Sequence, residues 1–173
     1  MILQPHAFLV LIVHLKSILM TNTEFKPRVK FVAEVQASYN MLNQAEALDL
    51  KSSRDVNNYI RNVFPVDIEA REAFMCLYLN RANRVQGFAM ISIGGLSSTT
   101  ADPKIMFQHA LLCNASCMIM IHNHPSGNLK PSQQDISLTK KVKEVGALMD
   151  LPILDHLIIT KNDYFSFADE CLL

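Results

Sequence analysis

The amino-acid sequence predicts an α+β fold, an α-β-α sandwich built around one curved, mixed β-sheet. Three observations lead there. Apolar runs of strand length, at 73–79, 85–93 and 117–121, are separated by polar stretches. Two further segments place apolar residues at helical spacing behind helix-start residues, Pro103 and Ser132. Strands and helices are interleaved without strict strand-helix-strand alternation, which points to mixed layers around a single sheet.

Taken in order, Val29, Phe31, Ala33 and Val35 alternate with Lys30, Glu34 and Gln36, the pattern of a half-buried strand. Residues 41–50 are poorly patterned and read as a connection. Ser53 reads as the N-cap of a helix through Val63, with Val56, Ile60 and Val63 on one face and Pro65 as its stop. The runs 73–79 and 85–93 flank the polar stretch 80–84 and read as a hairpin of central strands, closed by Gly94 and Gly95. Pro103 opens a helix whose apolar face carries Ile105, Met106, His109 and Leu112. Strand 117–121 delivers the chain to HNHPSG. A helix from Ser132 to about Met149 follows, with Ile136, Leu138, Val142, Val145 and Leu148 turned inward. Segments 154–160 and 164–167 make a last strand pair around the turn 161–163.

With 173 residues, 50% hydrophobic and 18% charged, the chain has the composition of a globular domain. Its formal net charge is zero, so it lacks the whole-chain attraction that drives non-specific nucleic-acid binding. Cys76, Cys113, Cys117 and Cys171 sit in apolar surroundings, with no C-x-x-C pair, and are expected to be small buried hydrophobes. A chain without a disulfide framework suits the cytoplasm. Residues 1–22 read as an N-terminal tail. Its apolar stretch has neither the basic flank of a secretory signal nor the ~18 apolar residues of a membrane span. Met20 is the favoured alternative start. Residues 23–50 then form an extension with one strand, and 51–173 the main domain.

The chemistry is concentrated in HNHPSGNLKPSQQD, residues 122–135. His122 and His124 end a strand two residues apart, so their side chains leave the same face. A Pro/Gly loop turns the chain into a helix whose first turn holds Asp135. Two imidazoles and a carboxylate are a ligand set for zinc, with a fourth position open to water. The same residues have a simpler reading, because Ser132-x-x-Asp135 is also a helix-capping pattern. Residue types alone leave both alternatives open.

The spacing His122-x-His124, seven residues, Ser132, two residues, Asp135 matches the JAMM signature of JAB/MPN-domain metalloproteases at every defined position. The wider string HNHPSGNLKPSQQDISLTKK, with LDHLIIT after it, resembles the bacterial RadC family over residues 52–173. The resemblance implies a JAB/MPN, cytidine-deaminase-like architecture. It also implies a zinc ion held by His122, His124 and Asp135, and a glutamate on an earlier strand as general base. Glu72, before the strand AFMCLYL, occupies that place, with Glu69 next to it as the runner-up. Ser132 would donate to the developing oxyanion.

The expected activity is zinc-dependent hydrolysis of an amide bond in a peptide or protein conjugate. The alternative is a non-catalytic JAMM-fold accessory protein associated with DNA repair. RadC-like proteins carry a helical region before this domain, and the fifty residues here show no basic run. A nucleobase deaminase would need H-x-E and a following P-C-x-x-C, and residue 124 is His. His156, His109 and the run Lys140, Lys141, Lys143 read as a packed histidine, a helix-face histidine and a solvated helix side. A chain beginning at Met20 is expected to melt at the temperature of the full chain. A loss on the order of 3 kcal/mol, the scale of a removed core side chain, would instead place 1–19 in the core.

Overall fold

The structure, a computed structural model, describes residues 50–64, 66–94 and 100–173. The expectations for the tail, the Met20 start and the strand at 29–36 lie outside the described residues. Helix α1 (Ser53–Val63), strands β1 (Ala73–Leu79) and β2 (Val85–Ile93), and helix α2 (Pro103–Leu112) come first. Strand β3 (Cys117–Asn123), helix α3 (Gln133–Leu148) and strands β4 (Ile153–Ile159) and β5 (Tyr164–Ser166) follow. The five strands form one sheet in the order β2-β1-β3-β4-β5. Neighbours are antiparallel except β3 and β4, which are parallel and joined through α3.

Every residue of β1 and β3 is buried. Continuous apolar runs are what a strand covered on both faces requires. Phe74, Cys76, Tyr78, Met118 and Met120 point to one face and pack with Met106, Phe107 and Ala110 of α2 and Val142 of α3. The alternate residues, among them Met75, Leu77, Ile119 and Ile121, pack on the other face with Val56 and Ile60 of α1. The protein is therefore an α+β sandwich with helices on both sides of a mixed sheet. No helix among the described residues is long and apolar enough to cross a membrane.

Four sequence expectations need correction. Ser52 rather than Ser53 caps α1, because its Oγ accepts the Asp55 amide at 3.2 Å from an extended backbone. β3 runs two residues further than expected, through His122 and Asn123, since β4 extends alongside and pairs Asn123 with Ile159. In α3 the face toward the sheet is Thr139, Val142 and Gly146, while Ile136 is 42% and Leu148 88% exposed. Leu148 lies off the stripe defined by steps of three, four and seven residues, and Ile136, one turn before Thr139, sits at the open margin of that stripe in the first turn. Cys76, Cys113 and Cys117 are buried, but Cys171 is exposed in the turn after β5, and all four are free thiols.

Small residues let α3 lie close to its surroundings. A Cβ added at Gly146 would sit 2.5 Å from the backbone oxygen of Leu151, and the Leu151 amide donates back to the Gly146 carbonyl at 2.9 Å. That return bond fixes the clashing atom. Alanine would gain about 1 kcal/mol in helix propensity, against about 1–3 kcal/mol for overpacking a site that cannot yield. Gly146→Ala is expected to destabilise the protein by about 1 kcal/mol or more, read as a lowered urea midpoint at unchanged slope. An unchanged or raised midpoint would show that the turn gives way.

Candidate metal centre

Topology gathers the site. β1 runs antiparallel to β3, so the start of β1 and the end of β3 meet at the same edge of the sheet. α3 begins just beyond that edge. His122 is the penultimate residue of β3 and is 1% exposed, and His124 follows the strand with its amide bonded to the Ile159 carbonyl at 2.9 Å. Phe74 pairs with His122, and continuing that register by two residues sets Glu72 opposite His124 on the same face. Glu72, His124, Ser126, Lys130 and Ser132 line a cleft of about 380 Å³.

The loop after β3 has a defined shape. The Gly127 amide donates to the His124 carbonyl at 3.0 Å, closing a turn with Pro125 at its second position. Gly127 has φ +77°, a left-handed conformation that glycine adopts without cost. The chain then brings the Asn128 carbonyl back to His124 Nδ1 at 2.6 Å. At the start of α3, Ser132 Oγ accepts the Asp135 amide at 3.1 Å, while Asp135 Oδ2 accepts the Ser132 amide at 2.7 Å and hydroxyl at 2.6 Å. The capping box and the ligand set are thus one structure. Capping ties down Oδ2 and leaves Oδ1 facing the histidines.

His122 Nε2 lies 2.9 Å from His124 Nε2 and 3.2 Å from Asp135 Oδ1. His124 Nε2 is 3.7 Å from Asp135 Oδ2. A tetrahedral ion with bonds of ~2.0–2.1 Å needs ligand atoms about 3.3 Å apart, and the three separations, the two to Asp135 taken at different carboxylate oxygens, fall on either side of that value. Proton placement sharpens the fit. His124 Nδ1 faces a carbonyl, which only accepts, so that nitrogen carries a proton, and in the neutral form of the ring Nε2 is bare. His122 Nδ1 is 2.9 Å from His156 Nε2, and His156 Nδ1 is 2.6 Å from Thr139 Oγ1. The Thr139 hydroxyl proton goes to the Asp135 carbonyl, 2.6 Å away. Thr139 therefore accepts from His156, His156 accepts from His122, and in the neutral form of the His122 ring Nε2 is bare as well. A proton at the centre would join only two of these three lone-pair donors, whereas a metal ion satisfies all three. Among the described residues, His122, His124 and Asp135 form the one group able to hold a metal ion.

Burial pushes the Asp135 carboxyl up, but the hydrogen bond and charge of a protonated His122 ring, with the Ser132 hydroxyl and amide, outweigh it and hold Asp135 well below the usual carboxylate range. It stays an anion. Burial raises Glu72 above an ordinary glutamate against the opposing pull of His122 and His124, which makes it a stronger proton acceptor than an exposed glutamate. His156 is fully buried, and burial followed by the neighbouring His122 lowers its pKa far below normal, so it is neutral.

The sequence-predicted residues thus come together. Glu69 does not join them, being paired with Lys161 on the surface at 2.8 Å. His109 bonds the Ile105 carbonyl of its own helix at 2.9 Å, and Lys140, Lys141 and Lys143 are exposed. Sequence reading did not single out Asn123 or Thr139, or the part His156 plays. Asn123 Oδ1 accepts the Ala73 amide at 2.7 Å, and its Nδ2 donates to the Ile68 and Arg71 carbonyls, both at 2.8 Å. It clamps the segment carrying Glu72. Strand alternation was the available signal, since a residue between two ligating histidines must face away from them. For Thr139 the signal was a polar residue four positions after Asp135 on the inward stripe.

Residues 50–172 match the family described as the RadC-like JAB domain. A UPF0758 protein of Flavobacterium johnsoniae is 48% identical over 99 residues, 57% of this chain and 43% of the relative. A UPF0758 protein of Haemophilus influenzae is 41% identical over 105 residues, 61% of this chain and 48% of the relative. One of Actinobacillus pleuropneumoniae is 35% identical over 141 residues, 79% of this chain and 64% of the relative. The chain spans about half the length of the curated relatives it matches. With its motif, its sandwich fold and a match over most of its length, this chain belongs to the RadC-like JAB domain family.

Proposed function

We propose that the protein is a zinc-dependent hydrolase of amide bonds, a metallopeptidase or isopeptidase, with His122, His124 and Asp135 as the zinc ligands. The observation that carries the reading is the convergence of two imidazole nitrogens and a carboxylate, with separations of 2.9–3.7 Å, beside an open cleft. Two nitrogens and one oxygen with room for a fourth ligand are a catalytic zinc set rather than a magnesium or calcium set. When bound, the ion supplies Lewis-acid polarisation of a carbonyl and acidifies water at the site. Glu72, on the cleft wall with a raised pKa, takes a proton from water and delivers it to the leaving amine. Ser132 braces Asp135 through its amide and hydroxyl. Its hydroxyl can turn to a developing oxyanion while the amide keeps the carboxylate in place. The cleft is open and lined by polar and apolar surface in about equal measure, in keeping with an extended peptide or protein-conjugate substrate. The intact ligand set supports an enzyme over a non-catalytic accessory protein.

Two outcomes test this. The purified protein is expected to take up one equivalent of zinc, and His122→Ala none, by elemental analysis. Wild-type protein that stays metal-free after zinc addition would sink the assignment. Glu72→Gln is expected to keep fold and zinc but lose about 10²–10⁴-fold in turnover on a cleavable peptide found by library profiling, because glutamine cannot take the proton. Asp135→Asn should instead weaken zinc itself and recover activity with excess metal. Near-normal turnover by Glu72→Gln would remove Glu72 from the base role.

A further inference from the structure

We propose that Thr139, which touches no ligand atom of the centre, sets the tautomer of His122 through His156 and thereby controls the affinity of the site for metal. The inference rests on the zinc reading of the centre, but it concerns a buried chain of hydrogen bonds that exists without the ion.

The direction of that chain is decided at its far end. Thr139 Oγ1 lies 2.6 Å from the Asp135 carbonyl oxygen and 2.6 Å from His156 Nδ1. A hydroxyl has one proton, and a carbonyl can only accept. The proton therefore points at Asp135, and Thr139 offers His156 a lone pair. His156 is left with Nδ1 as donor and Nε2 as acceptor, and His122 must place its proton on Nδ1 to fill that acceptor at 2.9 Å. Only then is His122 Nε2 free for a cation. The reverse order, with both histidines protonated on Nε2, would leave His156 Nδ1 as a lone pair facing the Thr139 oxygen. Such a mismatch inside a protein is costly, because no water is there to repair it.

Packing keeps the chain aligned. His156 is 0% and Thr139 2% exposed. The His122 ring stacks on Phe74 at 5.6 Å and 6°, and the His156 ring on Phe167 at 4.7 Å and 15°. A ring turned over in its plane would set carbon where its partner now meets nitrogen, and so lose the bond. Removing the Thr139 oxygen deletes the bias. Asp135 Oδ1, 3.2 Å from His122 Nε2, is then the strongest acceptor in reach and draws the His122 proton onto the atom that should hold the metal. Thr139 is thus a positioning residue, acting across two hydrogen bonds.

The test uses the full chain as wild type, Thr139→Val and Thr139→Ser. Zinc dissociation constants are measured by competition with a chromophoric chelator, and the ring tautomers by ¹⁵N NMR of the metal-free proteins. Valine keeps the shape without the oxygen, and serine keeps the oxygen. Thr139→Val is expected to bind zinc about 10–100-fold more weakly, the range for lost outer-shell partners, with His122 shifted to the Nε2-protonated form. Thr139→Ser should restore both. A merely structural role would lower the melting temperature of Thr139→Val without moving the tautomer. That result, or an unchanged zinc constant, overturns the proposal. So do wild-type spectra showing His122 protonated on Nε2, a measurement that needs no variant to fold. Wild-type protein that binds no zinc would instead overturn the reading of the centre, so the two failures are told apart.

Discussion

The pairing of β1 with β3 is the constraint on which the molecule depends. Phe74 sits opposite His122 and Leu79 opposite Cys117. Side chains alternate faces along each strand, so a slip of one residue would exchange the two cores and turn His122 toward α1. An unbroken apolar run on two covered faces does not choose the register by polarity, so the choice falls to the fit of the side chains on each face and to the polar groups at the strand ends. At its open end the register is locked again by Asn123, whose amide takes up one backbone donor and two backbone acceptors of the segment before β1. The bonds that keep Glu72 in place are those that end the strand pair.

Antiparallel and parallel neighbours of β3 then have separate tasks. The antiparallel partner brings a strand start to the site, and with it Glu72. The parallel partner requires a crossover, and the crossover is α3, whose first turn carries Asp135. An all-antiparallel sheet would have no helix start at that edge. The anion at the N-terminus of α3 also suits the helix dipole, so the capping position that stabilises the helix presents the carboxylate to the histidines.

Burying polar groups beneath such a centre is costly unless each is satisfied. His122, Asn123, Thr139 and His156 lie inside the sandwich, and each side chain has defined partners. Asp155 follows the same rule on its own account. Burial raises its carboxyl, while the Ser166 hydroxyl at 2.6 Å and the amides of His156 and Ala168 hold it in place at the turn after β5. The polar interior is therefore organised in two parts, one behind the His122-His124-Asp135 group and one fastening the last strand.

Much of this was legible in the residues. Strands of continuous apolar character, the turn residues between them and the start of α3 at Ser132 follow from local pattern, since burial on two faces writes an unbroken run and a cap needs a particular side chain. The ligand set was legible too, because His122 and His124 share a strand face and Asp135 opens the next helix. Local pattern did not determine the true inward stripe of α3, the cap of α1, or the exposure of Cys171. The cap was a choice between two adjacent serines, settled by which hydroxyl meets the Asp55 amide. The stripe and the exposure depend on what packs against the element, which lies far away in sequence. The same holds for the proton order in the centre. His156 and Thr139 are ordinary residues for a strand and a helix. Only the parallel placement of β4 beside β3, with α3 laid over both, brings a histidine and a hydroxyl into line behind His122, because the direction of a hydrogen bond is set by its partner and not by the residue alone.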